Sequence, residues 1–151
     1  MLARKVAIFA LANLLCGCSL WSEDWPEIET REIAFDVALD LNEDFPLAFD
    51  LVFVRDPLAV RRLGDLSASE WFDRKAQLLR DDPQATLVRS YEIVPGQHLA
   101  PIRLNGEEQD AVAAFLFADY RRAGAHRARL DLYQRPVLVL GADTIDLRAR
   151  S

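Results

Sequence analysis

The stretch IAFDVALDLNEDFPLAFDLVFV (residues 33–54) carries two runs of period two around one polar turn. In the first run Ile33, Phe35, Val37, Leu39 and Leu41 alternate with Ala34, Asp36, Ala38 and Asp40. In the second, Leu47, Phe49, Leu51 and Phe53 alternate with Ala48, Asp50, Val52 and Val54. Alternation of this kind belongs to β-strands with one face toward a core. Asn42-Glu43-Asp44-Phe45-Pro46 is the turn between them. A link this short predicts that the two strands pair as an antiparallel hairpin.

Downstream the pattern breaks once and then returns to strands. Pro57 opens a new segment, with a short helical turn expected around residues 58–63. Ser67 followed by Glu70 reads as a capping box, which predicts a helix over about residues 67–81. Trp71, Lys75 and Leu78, with Phe72, Ala76 and Leu79 beside them, keep helical spacing. Asp81-Asp82-Pro83 ends it. Strands are expected at 86–94, closed by Pro95-Gly96, at 98–104 before Asn105-Gly106, and at 111–120, a run apolar on nearly both faces that reads as a central strand. Residues 126–133, 137–140 and 144–147 complete the series, the last two as a hairpin around Gly141-Ala142-Asp143. The expected fold is mainly β, a sandwich of about eight short strands with one helical insertion that covers a sheet face.

The first residues bear on compartment. Arg4-Lys5 precedes the apolar run 6–15, too short to span a bilayer and long enough for the core of a secretory signal. Leu15-Cys16-Gly17-Cys18 follows and resembles the lipobox of bacterial lipoproteins, with Leu at −3 and a small residue before the lipidated cysteine. Cys18 fits that pattern and Cys16 does not. A cysteine thiolate is the nucleophile suited to accept a diacylglyceryl group, and several acyl chains give a lasting anchor. Ser19, where an Asp would retain such proteins at the inner membrane, points to the outer membrane. The expected organisation is a signal peptide at 1–17, a lipidated cysteine and tether at 18–32, and a domain at 33–151. Cleavage before Cys18 removes Arg4, Lys5 and Cys16, which takes the formal net charge from −6 to −8 and leaves no disulfide within one chain. Trp21 and Trp25 suit either a membrane interface or an edge of the domain.

The chain has 151 residues, 51% hydrophobic and 28% charged, which describes one globular domain. Its acidic balance argues against nucleic acid as the main partner, since phosphate binding needs a basic field. No catalytic set stands out. Neither Gly-x-Ser-x-Gly nor His-Glu-x-x-His occurs, His98 and His126 read as surface or packing residues, and no metal ligand set is expected. Asp36 and Asp40, on one face of one expected strand, could in principle act as paired acids, and Asp81-Asp82 could bind a cation. Both pairs have bland explanations, a solvated sheet face and a helix end. Arg121, Arg122, Arg127 and Arg129 form a local basic group suited to an acidic partner surface, to lipid headgroups, or to a solvated hairpin end.

Several of these pieces together resemble the TssJ lipoproteins of type VI secretion systems. They are the lipobox, the strand AFDVALDLN (34–42), the Trp71-Phe72 helix, YEIVPGQ (91–97), and AVAAF (111–115) leading to His126-Arg127. The resemblance implies a transthyretin-like β-sandwich with an added helix, held at the outer membrane and facing the periplasm. It implies a partner, the large periplasmic part of an inner-membrane protein of the TssM type, and no cofactor. It places the partner contact in the loop between the first two strands, here Asn42, Glu43, Asp44, Phe45 and Pro46, and it implies a non-enzymatic role. The alternative reading is a periplasm-facing lipoprotein that carries or senses a small amphiphilic ligand, in a pocket between helix and sheet lined by Trp71 and Phe72.

Overall fold

The computed structural model describes residues 25–149. Cys18, Trp21 and the expected signal peptide lie outside these residues. The elements are β1 (Glu32–Val37), β2 (Leu47–Val54), α1 (Pro57–Gly64), α2 (Ala68–Asp81), β3 (Thr86–Ile93), β4 (Ile102–Arg103), α3 (Gly106–Gln109), β5 (Ala113–Ala118), β6 (Arg127–Arg129), β7 (Pro136–Leu140) and β8 (Ile145–Ala149). They form two four-stranded sheets, β4-β1-β7-β8 and β3-β2-β5-β6, and α1 and α2 make a third layer on the second sheet. The β-sandwich with a helical insertion is therefore the observed architecture.

The expected hairpin is not formed. β1 pairs antiparallel with β4 and parallel with β7, whereas β2 pairs with β3 and β5. The chain crosses from one sheet to the other between residues 38 and 46. Both strands direct apolar residues into the same core, so their alternation is identical to that of a hairpin. Periodicity reports which face is buried, not which strand is the neighbour. β1 also stops at Val37, earlier than expected, which puts Asp40 in a turn and separates it from Asp36. The segment 98–104 contributes only the two residues of β4, and Asn105 starts a helical turn, capped reciprocally with Glu108, where a simple turn was expected.

β2 explains the layering. Phe49, Leu51 and Phe53 enter the core between the sheets, beside Ile33, Leu116, Leu138 and Leu140. Val52 and Val54 point the other way, under Ala59, Val60, Leu63 and Trp71 of the helices. β5, next to it, is buried at all six positions. Strands apolar on both faces need cover on both, and the connection 55–85 supplies it. Helix α2 begins with the expected capping box, in which Glu70 N donates to Ser67 Oγ at 3.3 Å while Ser67 N donates to Glu70 Oε2 at 2.8 Å. The bonds from Ser67 hold the Glu70 carboxyl below its ordinary pKa.

One charge lies inside this helix–sheet contact. Asp50, 1% exposed on β2, accepts from the Trp71 indole Nε1 at 2.8 Å and from Lys75 Nζ at 3.0 Å. Trp71 is fully buried and stacks on Phe117, with ring centroids 5.1 Å apart. That packing occupies the space in which a Trp71/Phe72 ligand pocket was expected.

Residues 25–31, read from sequence as tether, are in part body. Ile28 N donates to Ala111 O, Glu29 N to Asp131 O, and Thr30 Oγ1 to Leu130 O at 2.8 Å, with Ile28 and Thr30 buried. This stretch lacks period two because it runs across strand ends and pairs in no sheet.

Asp50→Ala strands the Trp71 N–H and the Lys75 charge, and is expected to lower the unfolding free energy by about 2–4 kcal/mol in urea titration. Asp50→Asn keeps an acceptor for the indole and should cost about half as much.

Candidate functional site

Strand directions sort the loops into two ends. β1, β3, β5 and β7 finish, and β2, β6 and β8 begin, at the end bearing loops 38–46, 94–101, 119–126 and 141–144. The chain enters at the opposite end, where 25–31 meets 111 and 130–134. Eight residues of β2 at the rise of a strand separate the two ends by about 25 Å.

The loop that crosses between the sheets is built on three successive left-handed residues, Asn42 (φ 48°), Glu43 (φ 56°) and Asp44 (φ 67°). Left-handed backbone costs an L-residue about 1–2 kcal/mol, least for Asn and Asp. Neighbouring loops hold it in place. Asn42 is 2% exposed, donates from Nδ2 to Pro46 O at 2.7 Å, and accepts at Oδ1 from Arg121 N at 2.9 Å. Its own N–H reaches Gly141 O. Arg122 Nε donates to Glu43 Oε1 at 2.6 Å and Nη1 reaches Asp143. The Arg121 guanidinium lies over the Phe45 ring, 3.8 Å from its centroid.

Asn42 thus serves to shape the loop, and Asp44, Phe45 and Pro46 form its exposed surface. Phe45 is about half exposed, and Leu39 and Val94 are exposed beside it on the same end. Gly96, at φ +67°, closes the Val94–Gln97 turn, and a side chain there would meet the Leu39 Cδ2 atom. The resulting surface has apolar groups set among Asp40, Glu43, Asp44, Arg121 and Arg122. Apolar centres within a charged rim are the make-up of a protein-binding patch. Beneath it Tyr120 donates to Thr144 O at 2.9 Å. Burial, then the nearby Asp143 and Asp146, push its pKa upward, so the hydroxyl stays neutral as a donor.

The expected basic group is split by the structure. Arg121 and Arg122 belong to the loop end and tie it to residues 43 and 45. Arg127 and Arg129 lie on β6, bonded to Leu66 O and to Asp131. His126 packs on Tyr120, with Nε2 2.8 Å from Arg122 O, and His98 is exposed. Asp81 accepts from Gln77 at the end of α2. Among the described residues no three His, Cys, Asp or Glu side chains gather in the manner of a metal site, and no helix is long and apolar enough to cross a membrane.

The fold and this end together define a small β-sandwich with a helical layer on one sheet and a loop-built, mixed apolar and charged surface. No protein-family model and no curated protein sequence matches the chain. Among the solved structures that share the fold are two from type VI secretion systems. The type VI secretion lipoprotein TssJ1 from Pseudomonas aeruginosa superposes with a TM-score of 0.61 at 21% identity, over 83% of this chain and 98% of that one. Lip of Serratia marcescens, a membrane-bound component of the type VI secretion system, gives 0.60 at 14% identity, over 80% and 96%. At these identities the likeness establishes the fold.

Asn42→Ala removes the side chain that tolerates φ 48° and two of the loop's anchors. It should destabilise the domain by about 2 kcal/mol and speed hydrogen exchange at the Arg121 amide, which loses its acceptor. Unchanged exchange at Arg121 would contradict this role for Asn42.

Proposed function

We propose that this chain is an outer-membrane-anchored, non-enzymatic lipoprotein of a type VI secretion membrane complex. In this reading Cys18 carries the lipid. The loop end, with Asp44, Phe45 and Pro46 at its surface and Asn42 and Glu43 holding its shape, binds the periplasmic domain of a TssM-like inner-membrane protein. The observation that carries the proposal is polarity. The chain enters the sandwich at one end, Cys18 precedes Trp25 by only seven residues, and the strained loop with its exposed Phe45 stands at the other. A protein lipidated at Cys18 therefore holds that surface away from its own membrane and toward the inner one. The two shared-fold structures, both from type VI secretion systems, support the same assignment. So does the energetic cost of three left-handed residues, since such strain tends to persist where a loop is held for a purpose.

The experiment is a detergent pull-down of the tagged protein from its native envelope, read by mass spectrometry. An inner-membrane protein with a large periplasmic region should be recovered. Phe45→Ala, which leaves the loop backbone anchored, should weaken that association about tenfold or more, the scale of an interface hot spot. Cys18→Ser should leave a soluble domain that still binds the partner in vitro yet supports no secretion. Wild-type secretion by the Cys18→Ser variant would refute the anchor.

A further inference from the structure

Six large apolar side chains are exposed among the described residues, and they fall into two sets. Leu39, Phe45 and Val94 lie on the loop end. Trp25, Leu58 and Leu132 lie toward the end where the chain enters: Leu58 in the first turn of α1, Leu132 in the 130–135 loop. Trp25 lies near Leu132 and near Pro57, the chain neighbour of Leu58. It lines a groove of about 480 Å³ with Pro57, Val60, Arg61 and Arg129, and a smaller cleft of about 230 Å³ with Ile28, Val112 and Leu132.

From this placement we infer that Trp25, Leu58 and Leu132 form a docking face that rests on the surface of the phospholipid bilayer carrying the anchor. The inference rests on the proposed lipidation at Cys18. Seven residues from Cys18 to Trp25 span at most about 25 Å even when fully extended, so an acylated Cys18 confines this face to the neighbourhood of the headgroups. The residue types suit that layer. An indole settles at the interface with its ring buried and its N–H wet, and leucines dip below it. The charge pattern selects among surfaces. Arg61 and Arg62 are exposed on α1, Arg129 is paired with Asp131 at 2.8 Å, and Glu27, Glu29 and Asp65 lie on the same side. This near balance, in a processed chain of formal net charge −8, matches zwitterionic headgroups and disfavours a strongly anionic surface. Arg61 and Arg62 have the reach to meet lipid phosphates while their stems lie along the apolar groups.

The test uses the full-length lipoprotein with Trp21→Phe, purified from a bacterium that processes lipoproteins and reconstituted into phosphatidylethanolamine–phosphatidylcholine vesicles. Bromine on the acyl chains quenches only indoles that reach the bilayer. Trp71, sealed between α2 and the second sheet, supplies the unquenched reference, and its emission is read alone in a Trp21→Phe/Trp25→Phe variant. The expected result is loss of most Trp25 emission in brominated vesicles. Leu58→Asp/Leu132→Asp, both at exposed sites, should restore that emission while the protein still floats with the vesicles. Equal Trp25 emission in brominated and plain vesicles, with the protein floating, would overturn the docked face and leave the anchor standing. A protein that does not float with vesicles would remove the anchor and the docked face together.

Discussion

Asp50 sits beneath α2 with both of its partners, the Trp71 indole and the Lys75 ammonium, supplied by that helix. A carboxylate at 1% exposure is costly unless it is fully engaged, so the helix has one register on the sheet that satisfies it. That register places Trp71 on Phe117 and brings the start of α2 to the loop end, where Ala68 N donates to Ala125 O. The 119–126 loop is thereby fixed, and with it the Arg121 amide and guanidinium that hold Asn42 and cover Phe45. A polar contact in the middle of the second sheet thus supports the conformation of a loop that crosses between sheets.

That loop is also where reading the sequence reached its limit. The capping box at Ser67–Glu70, the buried central strand β5 and the terminal β7–β8 hairpin follow from local rules and are present as expected. The pairing of β1 with β4 and β7 does not follow, because a strand crossing between the faces of a sandwich shows the same alternation as a hairpin arm. Asn42-Glu43-Asp44 did contain a signal, since Asn and Asp are the side chains that tolerate left-handed backbone. It is ambiguous because the same residues make ordinary turns. Asp50 looked like part of a wet face, and only Val52 and Val54 beside it hint that this face is covered. Phe45 stands half exposed in that loop. Its cover, Arg121, stands 76 positions away in the chain, and no local pattern joins the two.

The two exposed apolar sets give the molecule a direction. Phe45, Leu39 and Val94 are held by loops that draw on four different connections. Trp25, Leu58 and Leu132 gather where the chain enters the sandwich. Between them Trp71 is fully buried and stacked on Phe117, which speaks against a ligand carrier built around that residue. A body with a distinct surface at each end is what the proposed role between a membrane and a protein partner requires.

The most direct test of that polarity is site-specific photocrosslinking in intact cells, with the photoreactive residue placed at 45 in one strain and at 58 in another. The account predicts that position 45 captures an inner-membrane protein with a large periplasmic region, while position 58 captures phospholipid and not that protein. Capture of the same protein partner from both positions, or of lipid from position 45, would contradict it.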